Sequence, residues 1–195
     1  MVNDQTSRAA SGNELWLKQY YFTRAAFSVL WVTAALTVGN HSFAVAAALL
    51  IIYPAWDAVA NVVDAARSGG FAVNRSQTIN VTASSIMTLA VIFALTMSMN
   101  WVLGAFGLWA IFSGLLQLGA AARRWKTSGG QWAMILSGGQ SAVAGALFIF
   151  QAQMPQEPSI STVAGYAGVG AFYFLVSAIW LSVALSRRSM RGVEL

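Results

Sequence analysis

The chain contains no cysteine, a single histidine and very few charged residues. Of its 195 residues, 9% are Asp, Glu, Lys or Arg and 57% are hydrophobic. The lack of cysteine excludes disulfides, a thiol nucleophile and a zinc–thiolate site. Because one histidine cannot supply the base and ligands that nucleophilic or metal catalysis needs, we expect no enzymatic activity, no catalytic residue, no cofactor and no metal. A soluble domain has about a quarter charged residues, so the composition indicates a membrane protein.

Long uncharged segments separate the basic residues. The segment from Ser76 to Ala122 contains no Asp, Glu, Lys or Arg. A bilayer core of about 30 Å needs about 20 apolar residues of α-helix. A transmembrane barrel would alternate apolar and polar residues, and Ala46–Ile52 does not. The sequence therefore predicts an all-α, polytopic membrane protein with six transmembrane helices, at about residues 21–39, 43–66, 78–98, 101–122, 131–152 and 160–185.

Basic residues are predicted to lie on one side of this arrangement. Eight of the eleven Lys and Arg residues form three groups: Arg67/Arg75, Arg123/Arg124/Lys126 and Arg187/Arg188/Arg191. The opposite turns contain Asn40–His41, Ser98–Asn100 and Gln153–Ser159. Because Lys and Arg are retained in the cytoplasm, we predict a bacterial inner-membrane protein with both termini cytoplasmic. A cleaved signal peptide over the first apolar run is the competing interpretation, and it would leave five spans.

Three regions follow from this prediction. Residues 1–19 form a cytoplasmic polar tail, disordered up to residue 14, and an aromatic and basic interface anchor. Residues 20–187 form the transmembrane domain, and 188–195 form a cytoplasmic tail. The net charge of +5 belongs to the flanks of the spans, so we expect the lipid bilayer as partner and no nucleic acid.

The six spans are predicted to form three hairpins related by an internal repeat. Aligning Arg67, Arg123 and Arg187 brings one small polar or acidic position and one aromatic position into register: Asp57/Ser113/Ser177 and Tyr53/Trp109/Tyr173. Each unit has two spans, so the repeats are parallel. Residues with small-xxx-small spacing indicate close helix packing, or a pore lined by glycine and serine; they are Ser137/Ser141/Gly145, Ala110/Gly114 and Ala164/Gly168.

One part of the chain resembles a known family. LWAIFSGLLQLGAAARRW (Leu108–Trp125) followed by SGGQWAMILSGGQSAVAGALFIF (Ser128–Phe150) is similar to the short hydrophobic repeat of the HdeD-type acid-resistance membrane proteins. The resemblance is clear over about residues 100–152 and loose elsewhere. The first hairpin departs most, because Asp57 stands where an uncharged residue is usual. It implies a small bacterial inner-membrane protein in acid or envelope stress protection. It brings no catalytic residues, and much of that family has no assigned biochemical function.

Ionisable residues in the first two predicted spans form the candidate site. Asp57, Asn61 and Asp64 are spaced i, i+4 and i+7 on one stripe of a helix. Counted from the first outer turn, Arg24 and Asp57 each lie about 16 residues away, or about 24 Å along antiparallel helices. We therefore predict that Arg24 pairs with Asp57 and that Lys18 lies near Asp64. An intramembrane charge costs about 2.5–3.5 kcal/mol on the insertion scale, so pairing is expected.

Two interpretations of this pair remain open. It either fixes the register of the first hairpin, or it leaves a protonatable Asp57 that senses or carries H⁺. Pro54 is expected to kink its helix and free the carbonyl of Leu50. His41, at an outer turn, is either a sensor of external acidification or a solvated residue.

Three functions follow. The first is a non-enzymatic protein of the HdeD-like kind, the second a small, proton-linked channel or transporter, and the third a membrane scaffold. A homo-oligomer and a membrane-protein partner are both left open.

Overall fold

The computed structural model describes residues 2–124 and 131–191, and it shows a bundle of six antiparallel α-helices. The helices are α1 (Val2–Thr37), α2 (Phe43–Arg67), α3 (Arg75–Leu95), α4 (Met99–Arg124), α5 (Gln131–Ala152) and α6 (Ile160–Arg191). A 3₁₀ turn at Gly39–His41 joins α1 to α2. We call the end with Arg67, Arg75 and Arg187 the basic end, and the other end the His41 end.

The predicted all-α architecture with six membrane-spanning helices is confirmed. All six helices are long and apolar enough to cross a membrane. The prediction that residues up to 14 are disordered is wrong, because α1 begins at Val2. That segment contains no proline, so nothing in it prevents the helix from extending beyond the span. The predicted C-terminal tail begins inside α6, which ends at Arg191, and Lys126 lies outside the described residues.

Local sequence explains how α2 begins and ends. The side chain of Ser42 accepts a hydrogen bond from the backbone N–H of Val45 at 3.4 Å, as a helix N-cap does. After Arg67 the chain passes through Gly69 and Gly70, whose φ values are 98° and 87°. The Gly70 N–H donates to the Ala65 carbonyl at 2.8 Å, which is the hydrogen bond of a Schellman motif. The loop between α2 and α3 therefore requires glycine.

The closest helix pairs do not coincide with the three predicted hairpins. They are α4 with α5, α1 with α6 and α2 with α3, whereas α1 with α2 and α3 with α4 pack more loosely. Each close pair joins one hairpin to the next. The packing keeps the threefold pattern of the repeat, with helices α2, α4 and α6 each paired with one partner from α3, α5 and α1.

Glycines explain why α4 and α5 approach most closely. A methyl group added at Gly107 would lie 2.9 Å from the carbonyl oxygen of Gly145, and one at Gly145 would lie 2.5 Å from that of Gly107. Gly114 and Gly138 face each other in the same reciprocal way, at 2.5 and 2.8 Å. The hydroxyl of Ser141 also donates to the Ala110 carbonyl at 2.9 Å. Here the small residues allow close helix packing.

The apolar core fills the half of the bundle next to the His41 end. It takes residues from all six helices: Trp31, Ala35, Ala46, Leu50, Met87, Val91, Ala94, Met99, Val102, Leu103, Phe106, Phe148, Ile160, Val163, Ala164 and Ala167. Each lies within about 12 Å of its helix's end on that side, at 1.5 Å per residue. The ionisable residues of the predicted site lie beyond this core, towards the basic end.

Aromatic rings border the core on the side of the polar residues. The ring of Tyr53 lies 4.7 Å from that of Trp31 and 6.3 Å from that of Trp109, edge-on. Trp31 Nε1 donates to the carbonyl of Leu49 at 2.7 Å. This carbonyl is one residue before Leu50, whose carbonyl loses its helical partner to Pro54. The side chain of Pro54 is fully buried.

Candidate functional site

The structure brings Arg24 of α1 and Asp57 of α2 into an ion pair. The guanidinium Nη2 donates to Asp57 Oδ1. The two side chains are only 14% and 17% exposed, so both charges lie inside the bundle. A charge in this position needs a partner to remain ionised at low cost, and each residue supplies that partner for the other.

Arg24 also contacts two aromatic side chains. Its Nη1 donates to the hydroxyl of Tyr20 at 2.8 Å. Its Cζ lies 4.4 Å from the ring centre of Phe174 on α6 and 5.5 Å from that of Tyr20. Such cation–π contacts stabilise a guanidinium most when it is removed from water. Arg24 therefore links α1, α2 and α6.

The second oxygen of Asp57 is also fully engaged. Oδ2 accepts from the hydroxyl of Ser84 on α3 at 2.5 Å and from Nδ2 of Asn61 at 3.1 Å. The same Nδ2 donates to the backbone carbonyl of Asp57 at 2.7 Å. Ser84 and Asn61 are 1% and 3% exposed. With one cation and two neutral donors, the carboxylate is held in one orientation by three helices.

Asp64 forms a second hydrogen-bonded cluster, nearer the basic end. It is 5% exposed. Oδ1 accepts from Trp16 Nε1 at 3.0 Å and from the Ser68 hydroxyl at 3.4 Å, and Oδ2 accepts from Gln77 Nε2. Arg67 places its guanidinium 4.3 Å from the centre of the Trp16 ring. All three donors to Asp64 are neutral groups.

Lys18 was predicted to lie near Asp64, but the structure does not show it among the partners of Asp64. In the described part of the chain, Trp16 and not Lys18 is the residue of α1 that donates to Asp64. The prediction counted depth and ignored the direction in which each side chain points. Lys18 is six residues from Arg24 and so about 120° away around the helix, whereas Trp16 is eight residues away and within about 80°.

His41 lies exposed in the 3₁₀ turn. Its neighbour Asn40 connects this turn to α6, because Asn40 Oδ1 accepts from the Ser161 hydroxyl at 2.8 Å. At the adjacent turn, Asn100 donates to the carbonyls of Ala152 and Met154 at 3.2 and 3.0 Å. These bonds tie the ends of the hairpins together. The role of His41 as a pH sensor stays a prediction.

Sequence reasoning missed several members of the site, and one simple signal would have found two of them. The loop around Phe71 is a pivot like the turn at His41. Ser84 lies 13 residues after that pivot and Asp57 lies 14 before it, by their numbers. Gln77 and Asp64 likewise lie at similar separations after and before this pivot. The contact between Phe174 and Arg24 could not be found by this count, because α6 is distant from α1 in sequence.

The other repeats do not reproduce this polar cluster. Gln117 occupies the position of Asn61 in the second repeat, and its Oε1 is buried with no hydrogen-bond partner in the described residues. The same holds for Trp56 Nε1, although the Trp56 ring stacks on Phe27 at 4.5 Å. The described residues also contain no group of three or more His, Asp or Glu that could hold a metal ion. The chemistry of the site therefore consists of one ion pair and neutral hydrogen bonds.

Part of the chain is similar to a known family. Residues 83–150, about a third of the chain, match the family described as a short repeat of unknown function (DUF308). This family contains HdeD-like membrane proteins. No curated protein and no solved structure matches the chain. The matched segment runs from the middle of α3 to the end of α5 and includes the glycine contact between α4 and α5.

Proposed function

We propose that this is a non-enzymatic, non-conducting protein of the HdeD-like kind, in the bacterial inner membrane, with a protective role under acid or envelope stress. Both termini lie in the cytoplasm in this proposal, following the distribution of Lys and Arg. The match of residues 83–150 to the short-repeat family supports the HdeD-like assignment. The acid-stress role comes from that resemblance alone.

One observation carries the proposal of a non-conducting protein. The half of the bundle near the His41 end is filled by an apolar core to which all six helices contribute. An ion or proton that reached Asp57 from the basic end would next meet Trp31, Leu50 and Phe106, which are 3%, 0% and 0% exposed. A charged species has no favourable path through such a layer.

In this proposal the pair of Arg24 and Asp57 is structural. Every oxygen of the Asp57 carboxylate accepts a hydrogen bond, and each bond comes from a different residue. Protonating Asp57 would break the ion pair and displace a donor. This arrangement supports a fixed connection between α1, α2 and α3 more than it supports a group that gains and loses protons.

A proton-linked channel or transporter is the second candidate, and one observation favours it. Polar side chains lie at successive depths in the bundle. Asp64 and Gln77 lie near the basic end, and Asn61, Asp57 and Ser84 lie deeper. Such intramembrane chains are found on proton pathways. A membrane scaffold is the third candidate, and it requires that a partner protein co-purify with the chain.

Flux from purified protein separates these candidates. The full chain is reconstituted in liposomes with a pH gradient and an internal pH dye. We expect the leak to equal that of empty liposomes, for the natural chain and for Asp57→Asn alike. A protein-dependent leak that Asp57→Asn abolishes would establish the second candidate. Deleting the gene and finding unchanged survival in acid would remove the protective role, whatever the flux shows.

A further inference from the structure

A groove on the outer surface between α5 and α6 carries an inference about assembly. Among helices that follow one another in the chain, the backbones of these two stay farthest apart. They meet through side chains, such as the hydroxyls of Ser141 and Tyr166 at 2.7 Å. The space between them is a cavity of about 470 Å³, lined by Gln140, Gly165, Gly168, Val169, Phe172 and Tyr173.

Gln140 lies in an otherwise apolar, outward stripe of α5. Leu136, Val143 and Leu147 share this stripe and are 64%, 62% and 55% exposed. Gln140 is exposed as well. It is twelve residues from Ala152, or about 18 Å along the helix from its His41 end, and within the candidate span Ile135–Ala152. An amide thus faces the hydrocarbon of the bilayer.

Only one of the four hydrogen-bonding positions of this amide is used. Oε1 of Gln140 accepts from the Tyr173 hydroxyl at 2.9 Å. Within the described part of the chain, the Gln140 NH₂ has no acceptor. An amide has two N–H donors and an oxygen with two lone pairs, so two donors and one lone pair remain. Lipid tails offer neither donor nor acceptor, and lipid head groups lie outside the hydrocarbon region.

We propose that this groove is the contact surface for a second copy of the chain, in a dimer whose twofold axis runs along the membrane normal. A twofold axis of this kind places Gln140 opposite Gln140 of the second copy at the same depth. The partial charges of an amide are complementary to those of another amide. Each NH₂ can then donate to the Oε1 of the other while the bond from Tyr173 is kept.

The groove also has the shape that close approach of two helices needs. A methyl group added at Gly165 or Gly168 would meet nothing within 4 Å, so these glycines are not used in packing within one copy. The glycines between α4 and α5, such as Gly145, differ, because the neighbouring helix leaves no room there for a methyl group. Phe172, 63% exposed, leans towards the turn that contains Gly168 and can fill the groove of the second copy. Small residues with one polar side chain are typical of helix contacts in lipid.

Cysteine cross-linking in membranes tests the proposal, because the natural chain has no cysteine. The variant Val143→Cys places a single thiol one helical turn from Gln140. The control Ile86→Cys is 61% exposed on α3, which does not border the groove. We expect mild oxidation to give a covalent dimer at least about five times more abundant for Val143→Cys than for the control. Equal yields would overturn the proposal.

Two further variants keep the test independent of folding. Adding Gln140→Leu to Val143→Cys removes the amide, and we expect the dissociation constant of the dimer to rise about tenfold. In Gly165→Leu the added Cβ enters open space and leucine favours helix, so we expect the variant to weaken the dimer while thermal stability is kept or raised. An unchanged dimer in either variant would contradict the proposal. A monomer that carries a bound lipid, or a complex with a different protein, would also overturn it.

Discussion

The ion pair between Arg24 and Asp57 gives the sharpest quantitative prediction. Replacing either residue alone by leucine leaves the other charge inside the bundle, where the side chains are 14% and 17% exposed. Removing one partner of a buried pair costs about 3–5 kcal/mol, and a lone charge in a span costs about 2.5–3.5 kcal/mol on the insertion scale. We therefore expect Arg24→Leu and Asp57→Leu each to lower the free energy of unfolding by about 3 kcal/mol or more.

The double variant distinguishes pairing from packing. With both charges absent, the remaining cost comes from Ser84 and Asn61, whose donors lose the Asp57 acceptor. An unsatisfied buried polar group costs about 1–3 kcal/mol. We expect the double variant to lose about 2 kcal/mol, less than either single variant, which is the signature of strong coupling.

The assay is reversible unfolding in mixed micelles, with helix content followed by circular dichroism for all four proteins of the cycle. Lys18→Leu is the control, because Lys18 forms no ion pair with an acid in the part of the chain that is described. We expect it to change the unfolding free energy by less than about 0.5 kcal/mol. If the two single losses simply add in the double variant, the residues do not act as a pair and the reasoning is wrong.

Three further predictions concern packing, the second cluster and orientation. Gly145→Ala places a methyl group 2.5 Å from a backbone oxygen, and we expect it to lower the free energy of unfolding by about 1–3 kcal/mol in the same assay. In the control Gly139→Ala the methyl group meets nothing within 4 Å, and we expect it to raise that free energy by up to about 1 kcal/mol. Trp16→Phe removes one donor to Asp64 and is expected to cost about 1–3 kcal/mol. A thiol introduced by Ser159→Cys is expected to react with an impermeant reagent added outside intact cells, as retention of basic residues in the cytoplasm requires.

Each of these can fail in a recognisable way. Equal effects of the two glycine variants would mean that helices α4 and α5 do not meet at Gly145. An unchanged stability of Trp16→Phe would mean that Asp64 is satisfied by water and not by the indole. Reaction of the thiol only after the cells are opened would reverse the orientation in the membrane.

Depth in the bundle was predictable from the sequence, because the helix rise is fixed. Counting residues from one turn was enough to set Arg24 opposite Asp57, and the same count from the next loop sets Ser84 opposite Asp57. The count of residues does not give the direction in which each side chain points around the helix axis. It is decided by the 100° step between residues, which turns Lys18 away from the stripe that contains Arg24 and Trp16.

The choice of helix partners could not be taken from the sequence for a different reason. In a soluble bundle, apolar residues mark the buried face of each helix, but in lipid the outward face of a span is mainly apolar as well. Trp31 is 3% exposed and Trp180 is 78% exposed, although both lie in apolar segments long enough to span a membrane. The pattern of apolar residues along α1 therefore does not show that α1 packs most closely on α6.

The sequence by itself determined the number of helices, the approximate positions of their membrane-spanning parts and the common end of the bundle at which Arg67, Arg75 and Arg187 lie, because these depend on local composition and on the thickness of the bilayer. The tertiary structure alone decided that the close pairs cross from one hairpin to the next, that Phe174 covers Arg24, and that Gln140 faces outward. Those features depend on which backbones can approach, and the glycines of α4 and α5 make that approach possible only once both helices are placed.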